Sequence, residues 1–174
     1  MSAPVRHRLR TRVLHWVTAV LVFATLLIGF AMTALLGSYS ALLAVHMTLG
    51  AVILVIVVAR IANRFTHRAP ALPNTVPPAE RVLVFGSEIA MYMVLVCQPL
   101  VGWAMVSASG RPVVLFGSWR LPRIAPFDAD LYSILRQTHS VLAYTLVVLI
   151  AAHVSAVLLH TLTLRDGMLK RMTF

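Results

Sequence analysis

The sequence predicts an all-α integral membrane protein, a bundle of four transmembrane helices with both termini in the cytoplasm. Three observations predict it. Hydrophobic residues make up 60% of the 174 positions, with a mean hydropathy of +0.88, far above a soluble domain. Four apolar stretches each exceed the roughly 20 residues needed to cross the hydrocarbon core. Lysine and arginine gather at the ends of those stretches, mostly on one side. The net charge of +10 and pI of 11.5 do not imply nucleic acid as a partner, because charged residues are only 11% of the chain and flank apolar runs instead of covering a soluble face. The single cysteine, Cys97, lies inside an apolar run, which excludes a disulfide framework, a thiolate cluster and covalent haem attachment through C-x-x-C-H.

The first span is read as residues 13–36. The basic start from Arg6 to Arg12 imitates a signal peptide, but the following run is too long and has no clear small-x-small cleavage site. Residues 37–40 form a tight hairpin into the second span, 41–62. Segment 63–81 carries Pro70, Pro73, Pro77 and Pro78 and is expected to be a surface loop. The third span is 82–106. Segment 107–131, with Gly110, Pro112, Gly117, Pro122 and Pro126, is the longest connection and a partial lid, and the fourth span is 132–162. The whole chain, 1–174, is thus one four-helix domain with no internal repeat. Of 15 basic residues, four precede the first span, Arg60, Arg64, Arg68 and Arg81 flank the loop at 63–81, and Arg165, Lys170 and Arg171 follow the fourth. The positive-inside bias therefore puts both termini in the cytoplasm, and the expected location is a bacterial inner membrane.

Four histidines stand at membrane depth: His15, His46, His139 and His153. Ionisable residues there are costly and usually functional. His139 and His153 share one face of the fourth helix, and the rise between them is about 21 Å. That is too far for one metal ion and suits two cofactors stacked across the membrane. Helix direction then pairs His46 with His139 in an outer layer and His15 with His153 in an inner one. The same spacing carries His15 to Gly29 and His46 to Arg60. Gly29, and Gly50 one turn past His46, would let a flat porphyrin approach the backbone; equally, they are small residues for helix packing. Arg60 would neutralise haem propionates or anchor the helix by snorkelling. Two imidazoles per iron leave no open coordination position, which suits electron transfer. His160 shares the face of His153, but pairing it with His15 would separate the two layers by about 31 Å of helix rise. It is instead a candidate for quinone binding or proton transfer. Taken singly, each histidine is equally explained as a helix-to-helix hydrogen-bond partner; the closed map of four argues otherwise. His7 and His67 lie in basic, solvated segments.

These residues resemble the bacterial cytochrome b561 family of small four-helix membrane haem proteins over nearly the whole chain. The resemblance rests on His15-Trp16, His46-x-x-x-Gly50 followed by Arg60 and Arg64, Tyr92 with Pro99, Gly102 and Trp103, and His139, His153 and His160 followed by the Asp166 to Met172 segment. It implies two haem b groups on the pairs named above. For some members it implies oxidation of superoxide to dioxygen at the outer, periplasmic side with ubiquinone as acceptor. For relatives in the wider group it implies a cytochrome subunit serving a partner dehydrogenase. Where such proteins often carry a second histidine near the start of the third span, this chain has Glu88. A buried carboxylate there would have a raised pKa and would replace that histidine as a proton or quinone relay; equally, a glutamate close to the interface would simply be solvated.

The outer segment holds Arg111, Arg120, Arg123 and Arg136 against Asp128 and Asp130. Such a basic surface would steer a small anion in a salt-dependent way, or would contact lipid headgroups or a partner. The leading expectation is a di-haem oxidoreductase that takes electrons from superoxide and gives them to ubiquinone. The alternatives are a carrier subunit that exchanges electrons between quinone and a redox partner, and a haem-free, histidine-lined metal transporter. Partners are then lipid, quinone and superoxide, with a redox protein or a second copy of the chain left open.

Overall fold

A computed structural model of the protein describes residues 6–66, 77–165, 167 and 169–174. Four long helices form α1 (Leu9–Ala34), α2 (Tyr39–Thr66), α3 (Pro78–Ala108) and α4 (Ala129–Leu158). Each is long and apolar enough to cross a membrane, so the chain is a multi-pass membrane protein. The tight hairpin between α1 and α2 is made by a short 3₁₀ turn, Leu36–Ser38. Most of the expected loop at 63–81, including His67, Arg68, Pro70 and Pro73, lies outside the described residues. Its last part is helical, however, because α3 begins at Pro78. Proline suits the first helical position, where its missing N–H has no intrahelical partner in any case. Pro99 lies inside α3, one turn before Gly102 and Trp103.

The helices pack in chain order, α1 on α2, α2 on α3 and α3 on α4. Their outward faces carry exposed apolar side chains such as Leu27, Val55 and Val148, the surface a lipid-solvated bundle presents. Inside, one core cluster draws Val22 from α1, Ile53 and Val57 from α2, Val94 and Leu95 from α3, and Leu146 from α4. The hydroxyls of Thr18, Thr25, Thr48 and Thr145 each donate to the carbonyl four residues back, which satisfies them where lipid offers no partner.

The lid segment has more structure than the sequence suggested. β1 (Val113–Leu115) and β2 (Trp119–Leu121) pair antiparallel as a hairpin. Val113 and Leu115 are buried against Met47 and Ala51 of α2 and Trp103 and Met105 of α3. The indole of Trp103 donates to the Pro122 carbonyl at 2.9 Å, and the Arg123 guanidinium donates to the Gly110 carbonyl at 2.7 Å. Asp128 then caps α4 by accepting from the Leu131 amide at 2.8 Å. The strands are too short for a period-2 pattern to reveal them, and their stability comes from packing on α2 and α3.

At the opposite end the C-terminal residues fold back on the start of α1. The His7 amide donates to the Arg171 carbonyl at 3.0 Å, Arg12 Nη1 to the Thr173 carbonyl at 2.6 Å, and Trp16 Nε1 to the Met172 carbonyl at 3.0 Å. Burial, with Arg171 and Arg64 nearby, pushes His7 below the usual histidine pKa against the pull of Glu88, so this junction holds a neutral imidazole. Trp16→Phe removes one tie worth about 1 kcal/mol. Trypsin should then cut at Lys170 and Arg171 roughly fivefold faster, with no change in cleavage elsewhere.

Candidate functional site

Heptad spacing builds the interior of the bundle. On α1 the inward stripe reads His15, Val22, Gly29; on α2 it reads His46, Ile53, Arg60; on α4 it reads His139, Leu146, His153. Seven residues make nearly two helical turns, so each stripe has a polar or small residue near both ends and a buried aliphatic one at its middle. Val22, Ile53 and Leu146 meet in the core cluster, which fills the space between two histidine layers.

In the inner layer the rings of His15 and His153 stand with centroids 6.3 Å apart. In the outer layer those of His46 and His139 are 6.2 Å apart. A metal–imidazole bond is about 2 Å, so two imidazoles on opposite sides of one ion have ring centres on the order of 6 Å apart. Both separations fit two axial ligands of one iron. The Nδ1 atoms of His46 and His139 are buried without a hydrogen bond among the described residues, so one nitrogen of each outer ring is left without a protein partner. Among the described residues no three potential ligands cluster as a cage for a bare metal ion would. The two-by-two arrangement suits a cofactor that brings its own equatorial ligands.

Two glycines lie against the outer rings. A Cβ on Gly29 of α1 would stand 3.3 Å from Cε1 of His46, and one on Gly102 of α3 would stand 3.1 Å from Cε1 of His139. Gly50 does not belong with them. It faces Pro99 across an ordinary 4.0 Å contact, because one turn beyond His46 the α2 surface has rotated towards α3. Of the two glycines expected to give a porphyrin room or to serve helix packing, Gly29 lies against an outer ring and Gly50 does not, while Gly102 lies against the other outer ring. The signal for Gly102 was available, since it lies seven residues beyond Leu95, on one stripe of α3.

Arg60 sits at the inner pair. Its Nη2 is 3.4 Å from Nδ1 of His15, and its guanidinium lies 5.2 Å from the centre of the Tyr92 ring. Trp16 meets His15 edge to face at 5.7 Å. The chain widens from α-helical to π-helical geometry over Leu159–Leu164, a change common near functional sites, and His160 Nε2 reaches Glu80 Oε1 of α3 at 3.0 Å. Of the two settings open to Glu88, buried relay or solvated carboxylate near the interface, it has the second. It is 38% exposed and ion-paired with Arg64 at 3.2 Å, because that part of α3 faces the basic inner end of α2. The carboxylate that meets a histidine is Glu80, which the sequence reading did not single out.

The four outer arginines divide between α4 and the lid. Arg136 lies one turn outward of His139 on α4. Arg111, Arg120 and Arg123 belong to the lid and its hairpin, and Arg123 is engaged by the Gly110 carbonyl. Only Arg136 therefore shares a helix with an outer-layer histidine.

A family model described as prokaryotic cytochrome b561 matches residues 6–174. Among curated relatives, Cytochrome b561 homolog 2 of Escherichia coli (strain K12) is 27% identical over 98% of this chain and 93% of its own. A Yersinia pestis protein named "Probable superoxide oxidase CybB" is 27% identical over 74% of this chain and 72% of its own. Cytochrome b561 homolog 1 of Escherichia coli (strain K12) is 25% identical over 91% and 92%.

Proposed function

Because the chain belongs to the prokaryotic cytochrome b561 family, whose members are membrane cytochromes that bind haem b, we propose that it is a di-haem oxidoreductase that oxidises superoxide at the outer face and reduces ubiquinone. The observation that carries this reading is the two-by-two meeting of four intramembrane histidines, with ring centres 6.3 and 6.2 Å apart. The name of the Yersinia pestis relative supports superoxide as donor. In the balanced reaction two superoxide ions each lose one electron to become dioxygen, and one ubiquinone takes two electrons and two protons.

Haem b, when bound, would supply a one-electron iron couple held by histidine. His15 and His153 would hold the inner group, and His46 and His139 the outer. Gly29 and Gly102 leave room for the edges of the outer imidazoles against neighbouring helices. Val22, Ile53 and Leu146 exclude water from the space between the layers. Arg60 supplies a positive charge at the inner pair, where propionates would need one. Arg136 attracts a small anion towards the outer layer. His160 and Glu80, paired at the inner end, are placed to pass protons to a bound quinone.

The test is a superoxide pulse applied to the oxidised protein while its haem bands are followed, with and without ubiquinone. Fast reduction of the bands, reversed by added quinone, is the expected result. Arg136→Glu should slow the superoxide step several-fold at low salt and little at high salt, as steering requires. Bands that ignore superoxide but respond to quinol or a dehydrogenase would instead make the protein a carrier subunit.

A further inference from the structure

The β1–β2 hairpin is in the wrong place to be a simple cap over the end of the bundle. The Phe116 amide at its tip donates to Thr48 Oγ1 of α2 at 3.3 Å, and its buried strand packs on Met47 and Ala51. Thr48 is well inside α2, which begins at Tyr39. From Thr48 to Arg64, at the basic inner end, the helix rises about 24 Å. The hydrocarbon core is about 30 Å thick. With Arg64 at the inner boundary, the tip of the hairpin therefore lies at or below the outer boundary.

The tip is also chemically unlike a solvent turn. Its turn is closed by the Ser118 amide donating to the Leu115 carbonyl at 3.1 Å, with Phe116 at φ +49° and Gly117 at φ +76°. Left-handed geometry costs a residue with a large side chain about 1–2 kcal/mol, and glycine or asparagine would hold it with less strain. Here it presents a phenyl ring. Phe116 is 61% exposed and Trp119 is 69% exposed, and the two rings meet edge to face at 6.0 Å. Arg111 and Arg120, both exposed, stand on the same hairpin and its approach.

We propose that the hairpin is an interfacial anchor: Phe116 and Trp119 enter the outer leaflet beside α2, and Arg111 and Arg120 meet lipid phosphates. Aromatic rings with cationic neighbours are the side chains that settle at the level of the headgroups. The occupant of this surface is lipid because the tip continues the lipid-facing flank of α2, where Val55 is 69% exposed. The anchor holds the lid against α2 and α3 and assigns Arg111 and Arg120 to headgroups, leaving Arg136 for soluble anions.

The proposal is tested by spin labelling of the haem-loaded protein in vesicles of zwitterionic phospholipid, after Cys97→Ala removes the native thiol. Single cysteines Phe116→Cys and Trp119→Cys are compared with Val55→Cys, on the lipid face, and Gly37→Cys, in the α1–α2 turn. The expected result is an oxygen-to-nickel-chelate accessibility ratio at 116 and 119 several-fold above that at 37 and closer to that at 55. A ratio equal to that at 37 would put the tip in water and overturn the proposal. Labels immobilised and shielded from both reagents would also overturn it, in favour of a protein partner. Unchanged haem bands in each variant confirm that the bundle is intact. Trp119→Cys keeps the test decisive if Phe116→Cys unfolds the turn.

Discussion

His46→Ala should halve the haem bound per chain, and His139→Ala should do the same. Two imidazoles held 6.2 Å apart across α2 and α4 act as one unit, so the double variant His46→Ala/His139→Ala should lose no more haem than either single change. Residues that serve one site are non-additive in this way. Combining His46→Ala with His15→Ala crosses the layers and should remove both groups. Total haem, measured against protein by its denatured absorption spectrum, reads out all four variants. The superoxide response should vanish in His46→Ala while quinol still reduces the remaining inner group. Full haem content in His46→Ala would show that the outer pair is not a ligand pair, whatever the enzyme does.

The parts of this arrangement that were legible in the sequence are those governed by long-range periodicity. Four runs of about 20 apolar residues can only be spans. The 14-residue interval between His139 and His153 fixes two layers, and the direction of each helix assigns His15 and His46 between them. Short or phase-shifted features were not legible. The hairpin has two strands of three residues in a segment dense with glycine and proline, and its register is set by α2 and α3. The π-helical turn at Leu159–Leu164 and the contact of His160 with Glu80 were not legible either, because a local widening of the helix leaves no periodic mark. The sequence left Glu88 open between a buried relay and a solvated interfacial carboxylate, because only the packing of α3 on α2 brings it to Arg64. Pro78 was read as a breaker although it can equally begin a helix.

Gly102→Val should abolish binding at the outer layer while Gly50→Ala leaves it intact, although the two glycines look alike in sequence. The first carbon of any side chain at Gly102 would already lie 3.1 Å from Cε1 and 3.4 Å from Nδ1 of His139. Alanine there requires the ring to give by a few tenths of an ångström, and the branched carbons of valine require it to leave. Displacing His139 breaks the pair as surely as removing it, so total haem should again fall by about half. Gly29→Val should act on His46 from the other side, beginning from 3.3 Å. Because these changes strike the same pair, Gly29→Val and Gly102→Val together should lose no more than one haem. At Gly50 the nearest neighbour is Pro99 Cβ at 4.0 Å, which is normal contact. Alanine there should keep both haems and raise resistance to thermal haem loss by up to about 1 kcal/mol through reduced backbone freedom in the unfolded helix. Retention of both haems in Gly102→Val would show that α3 does not confine His139, and α4 alone would then have to orient it.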